Sequence, residues 1–128
     1  MGLTYPESIP LTKEIIGAAI EVHKYLGPGL VENAYDEALS IELIDRRLSV
    51  ECQRSIPLIY KSHTMRAVYR PDMIVGGLVI VEFKAVERVL AVHKAQVLTY
   101  LRMTGLHVGL LLNFNVPALT EGVSRISL

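Results

Sequence analysis

Between Arg70 and Val86 the chain reads RPDMIVGGLVIVEFKAV, and this stretch limits what the whole can fold into. Two apolar runs of strand length flank Gly76-Gly77, the kind of dipeptide that closes a tight hairpin, so a buried strand pair is expected here. Yet Asp72 stands near its start, and Glu82 and Lys84 stand inside its second half. Charged side chains are seldom buried unless they are paired, hold a metal or do chemistry. Glu82 and Lys84 are two apart on a strand, so they share one face and Phe83 takes the other. If the strands pair about the glycines, Asp72 comes near Val81 or Glu82. Two carboxylates and an ammonium then converge at one end of a sheet.

Carboxylate oxygens are the ligands that hard Mg²⁺ prefers, and it takes only one or two from a protein. A lysine beside such an ion can steer an attacking water or offset charge developing on phosphate. For these three residues alone a structural ion pair, Glu82–Lys84 or Asp72–Lys84 on a half-exposed face, remains equally open.

The rest of the chain supplies a frame for that strand pair. Residues 1–10 hold two prolines and little pattern and read as an arm. Leu11, Ile15, Ala18, Val22 and Leu26 recur at helical spacing, with Thr12 and Glu14 suited to the helix start. Gly27-Pro28-Gly29 breaks it. A second helix is expected from about Leu30 to Leu48, with Ala34, Ala38, Ile41, Ile44 and Leu48 as its buried stripe. SVECQRSIPLIY reads as one strand, KSHT as a polar turn, and MRAVYRPDMIV as the next strand. A third helix covers roughly Val89 to Thr104, capped by Gly105. HVGLLLNFN is a short buried strand, and residues 117–128 read as an uninformative tail. Two helices, three strands, a helix and a strand make a mixed sheet with helices packed on it, an α/β layer architecture in a single domain spanning 1–128.

Composition narrows the chemistry. A chain of 128 residues, 51% hydrophobic and 20% charged, is globular. The 13 basic and 13 acidic side chains cancel, so any attraction to nucleic acid must come from a local patch. Cys52 is the only cysteine, which excludes an internal disulfide and a multi-cysteine zinc site, and its place in an expected strand suggests a small buried hydrophobe. No signal-peptide pattern is seen, and Pro6 stands where a myristoylation motif wants Ser or Thr. The longest apolar run, Met73 to Val81, is too short to span a bilayer, so no membrane partner and a cytoplasmic setting are expected.

Two further patterns flank the charged strand. In GLVENAY, Gly29 to Tyr35, Glu32 heads a helix side that continues through Tyr35 or Asp36, Leu39 and Leu43. In isolation Glu32 reads as an acid near a helix N-terminus, stabilised by the dipole. In HKAQVLTY, Gln96 and Tyr100 lie four apart on one face of the third helix, with His93 a turn before them. An amide and a phenol offer directed hydrogen bonds to phosphates or bases, although a polar helix flank with a half-buried tyrosine would look the same. His93 reads as a surface histidine.

Taken together, RPD, EFK nine residues later, and QVLTY on the next helix resemble the PD-(D/E)XK nuclease superfamily. The QxxxY element resembles its RecB-type branch, and GLVENAY fits the pattern of the GxxExxY proteins within it. The resemblance runs from roughly Leu11 to Asn115. It implies a restriction-endonuclease-like fold and cleavage of nucleic acid, DNA in the first place, with Mg²⁺ or Mn²⁺. By it, Asp72 and Glu82 match the metal-binding carboxylates, joined by the Phe83 backbone carbonyl, and Lys84 matches the catalytic lysine. Glu32 matches a helix-borne glutamate that supports the metal through water or directly. Gln96 and Tyr100, with Tyr35, match positions that organise the site and the substrate. A non-catalytic nucleic-acid-binding or assembly module that keeps the fold is the competing reading. The apolar fraction also leaves room for a homodimer interface.

Overall fold

The computed structural model describes residues 8–128. Most of the arm read at residues 1–10 lies outside the described residues, and the rest of it is already helical. Helix α1 spans Ser8–Leu26 and buries Ile15, Ala18 and Val22 of the expected stripe together with Ala19, while Leu11 and Leu26 at its ends are partly buried. Thr12 is no helix cap. Its hydroxyl donates to the Ile9 carbonyl at 2.9 Å within the helix and accepts from Arg125 Nη1 at 3.1 Å.

Helix α2 is shorter than expected, Glu32–Asp45, and turns a different face inward. Tyr35, Leu39 and Leu43 are its buried residues, while Ile41 and Ile44 are 57% and 60% exposed. Two stripes competed on this helix, and the one carrying the large ring won. Tyr35 stacks on Phe114, with ring centroids 4.4 Å apart.

Strand β1 (Val50–Cys52) pairs with β4 (Met73–Val75), which turns through Gly76 and Gly77, both at positive φ, into β5 (Val79–Lys84). Helix α3 (Ala91–Thr104) then crosses over to β6 (Val108–Asn113), which lies parallel to β5. Gly105 closes α3 at φ 75°, the left-handed conformation for which glycine is suited. The tail is not a tail. A short 3-10 turn at Leu119–Gly122 leads to β7 (Val123–Ser127), which pairs antiparallel with β6. The sheet order is β1-β4-β5-β6-β7, a mixed five-stranded sheet with helices on both faces.

Two expected strands are each broken in two. Gln53 adopts φ 55° after β1, so β2 (Ile56–Tyr60) leaves the main sheet and pairs with β3 (His63–Tyr69) as a separate hairpin. Lys61 and Ser62, both at positive φ, form its two-residue turn. Pro71 has no N–H for a ladder, and β4 resumes only at Met73. Cys52 is exposed, not buried, because it lies in the edge strand beside this departure.

Strand alternation sorts the core. Met73, Val75, Val79, Val81 and Phe83 pack toward α1 and α2. Ile74, Ile80 and Leu111 pack toward Val97, Tyr100 and Leu101 of α3. Gly109 lets α3 approach β6: a Cβ there would lie 2.5 Å from Val97 Cγ1. Among the described residues no helix is long and apolar enough to cross a membrane.

Candidate active site

The register Met73↔Val81 sets Asp72 opposite Glu82, as the hairpin argument requires. Beyond that pair the ladder is continued by side chains. Glu82 Oε1 accepts the Asp72 N–H at 2.6 Å, and Asp72 Oδ2 accepts the Phe83 N–H at 2.8 Å. Each carboxylate thus takes a backbone donor from the other's strand. Gln53 adds to this from the loop after β1, its side-chain amide reaching Asp72 Oδ1 at 3.3 Å and its N–H the Asp72 carbonyl at 3.2 Å. Gln53 was invisible in the sequence, since only the pairing of β1 with β4 brings it there.

By alternation, Glu82 and Lys84 lie on the sheet face that carries Ile80 and looks toward α3. Glu82 is only 5% exposed. Burial, and then the negative charge of Asp72, push its carboxyl up to about 8, against the opposing pull of the Asp72 N–H and Lys84. Lys84 is partly buried and forms no ion pair within 4 Å among the described residues, so the structural Glu82–Lys84 or Asp72–Lys84 bridge is not made.

Helix α3 brings Gln96 and Tyr100 to the same place. Gln96 Nε2 donates to the Tyr100 hydroxyl at 3.1 Å. Tyr100 is buried, and desolvation followed by the charges of Glu82 and Asp72 pushes its phenol up to about 12. It therefore keeps its proton and remains a donor. His93 does local work: its Nδ1 accepts the Leu90 N–H at 3.0 Å at the start of α3.

The GLVENAY residues behave differently. Helix α2 packs on the other face of the sheet, and Glu32 stands in its first turn, where the dipole favours an acid. Glu32 borders a shallow depression with Ala85 at the end of β5 and has no hydrogen bond or ion pair to Asp72, Glu82 or Lys84. One turn on, Asp36 has its pKa raised by burial and then by the negative charge of Asp72. Tyr35 does not face a substrate. Fully buried, it donates to the Gly27 carbonyl at 2.6 Å and accepts the Leu30 N–H at 3.1 Å, so both roles of its hydroxyl tie down the Gly-Pro-Gly loop.

No group of three or more His, Cys, Asp or Glu gathers around a point among the described residues. Two carboxylates are nevertheless what Mg²⁺ ordinarily takes from a protein, with waters and substrate phosphates completing its shell. An acid driven to hold its proton by burial, and then by a neighbouring carboxylate, is a site short of positive charge, and this donor set fits a hard divalent cation. A strand residue's N–H and C=O share an edge, so the Phe83 carbonyl lies on the Asp72 side.

A family model described as the PD-(D/E)XK nuclease superfamily matches residues 10–126. No curated protein and no solved structure matches the chain.

Proposed function

The chain belongs to the PD-(D/E)XK nuclease superfamily, and on that premise we propose that it hydrolyses nucleic-acid phosphodiester bonds, DNA before RNA, with Mg²⁺ or Mn²⁺. Asp72, Glu82 and the Phe83 carbonyl would hold the ion. The observation that carries this reading is the pair itself: Glu82 locked onto the Asp72 N–H at 2.6 Å and Asp72 onto the Phe83 N–H at 2.8 Å, beside a lysine with no carboxylate partner.

The bound ion would supply a Lewis acid that polarises the scissile phosphate and lowers the pKa of a water. The chain's own groups do the rest. Asp72 and Glu82 are held by backbone donors, so the lone pairs left on their oxygens are preorganised for a cation. Lys84, with no carboxylate partner, is available to orient the attacking water and to offset charge on the phosphate. Tyr100 retains its proton and is fixed by Gln96, which suits it to donate to a phosphate oxygen. Glu32, in the first turn of α2 beside Ala85, would support the ion through water, and Asp36 one turn on adds negative charge to the surroundings of Asp72. Membership of the GxxExxY group rests on the spacing of Gly29, Glu32 and Tyr35, with Tyr35 as the pin of the glycine loop.

The test is incubation of the purified chain with single- and double-stranded DNA and RNA, in EDTA, Mg²⁺ or Mn²⁺. Cleavage should require the divalent ion and disappear in Glu82→Ala. Intact oligonucleotides under every condition would leave the binding-module reading in its place.

A further inference from the structure

The β2–β3 hairpin takes no part in the sheet that carries the carboxylates. Its strand β3 is exposed at all seven positions. From Gln53 to Pro71 the chain carries four cations, Arg54, Lys61, Arg66 and Arg70, and no carboxylate, in a molecule whose charges cancel over its whole length. The remainder is therefore net acidic, and this segment carries the compensating positive excess. Arg54 leans toward Glu51 at 3.9 Å and Arg70 donates to Ser55 Oγ at 3.0 Å. Lys61 and Arg66 have no carboxylate partner among the described residues. Lys61 Nζ lies instead 5.5 Å from the centre of the Tyr60 ring, and Tyr60 is 59% exposed.

The base of the ribbon adjoins the carboxylates. Tyr69, the last residue of β3, meets Tyr100 edge-on with centroids 6.4 Å apart, and Asp72 follows three residues later. At a rise of about 3.4 Å per residue, β3 extends about 24 Å from that point, the reach of roughly seven phosphates along one strand of a duplex. Unpaired cations favour a polyanion, and an open ring next to a cation favours a stacked base. A self-association face would not be served by like charges meeting across it.

We propose that β2–β3 is a nucleic-acid-gripping ribbon that holds the strand flanking the scissile phosphate, with Lys61 and Arg66 on phosphates and Tyr60 against an unpaired base. It rests on the reading of the Asp72–Glu82 pair as a phosphodiesterase site, but its test is separable from that reading. Anisotropy of a labelled 20-nucleotide single strand in EDTA compares wild type with Tyr60→Ser/Lys61→Gln/Arg66→Gln, the folds matched by circular dichroism. The triple variant should bind at least ~10-fold more weakly, and its slope of log affinity against log salt should fall by roughly 1.4, about 0.7 for each lost phosphate contact on a single strand. Should it melt early, Arg66→Glu alone carries the test, with weaker binding again expected. Equal affinity and slope overturn the proposal, as does a wild type that does not bind. So does a variant whose only change is from dimer to monomer in sedimentation, which would assign the ribbon to self-association. Cleavage with Mg²⁺ or Mn²⁺ is scored apart. A protein that grips through the ribbon yet cleaves nothing ends the nuclease reading and leaves the ribbon standing.

Discussion

Glu82 carries an acid proton at neutral pH that an exposed glutamate would have lost, and this has a direct consequence for stability. Its pKa is about 8 in the fold against 4.5 for the ordinary side chain. Below pH 4.5 both the folded and unfolded chains hold the proton. Between 4.5 and 8 the unfolded chain releases it and the fold keeps it, so the native state binds more protons and stability falls as pH rises. The metal-free melting temperature should therefore drop from pH 5 to pH 8. Glu82→Gln, which keeps an acceptor for the Asp72 N–H, should flatten that dependence and melt higher at pH 8, by on the order of 5 °C. A wild-type melt independent of pH over this window would contradict the burial argument. Lys84 answers to kinetics. Lys84→Ala should retain DNA binding and lose cleavage by ~10²-fold or more, the scale for removing one electrostatic stabiliser. Wild-type turnover in that variant, with a host nuclease excluded, would remove Lys84 from the mechanism.

Among the elements, α3 and β6 show how closely packing decides the frame. Gly109→Ala would drive a methyl into Val97 Cγ1, and overpacking of this kind costs roughly 1–3 kcal/mol. The double variant Gly109→Ala/Val97→Ala should recover part of that loss, because the clash partner is gone although a cavity replaces it. Chemical denaturation of wild type, Gly109→Ala, Val97→Ala and the double variant reads this, and additive losses would show that the two positions are not in contact. Other features of the elements were readable from sequence: the Gly76-Gly77 hairpin, the α3 crossover and the Gly105 cap each have a local signature. The strand breaks did not, since a left-handed Gln53 is set by tertiary context. Nor did the inward face of α2, where two apolar stripes were available and the stacking of Tyr35 on Phe114, 79 residues away in sequence, chose between them.

Across the whole molecule, the site joins β4 and β5 at one end with α3 on their face, and these share one hairpin and one crossover. That is why spacing could bring Asp72, Glu82 and Lys84 together, while Gln96 and Tyr100 joined them through the family resemblance. Contributions from more distant chain segments could not be placed this way. Gln53 reaches Asp72 only through the pairing of β1 with β4, and Asp36 comes under the charge of Asp72 only through the packing of α2. The distribution of charge follows the same division, a carboxylate pair in the sheet and a basic ribbon outside it. All of this turns on whether the Asp72–Glu82 pair receives a divalent cation. Isothermal titration of Mg²⁺, and of Mn²⁺, into wild type and Asp72→Asn at pH 8 measures that directly. One ion should bind wild type, and Asp72→Asn, still folded, should bind at least ~10-fold more weakly. Equal binding by the two proteins, or none by wild type, would contradict the assignment of the pair as the metal site.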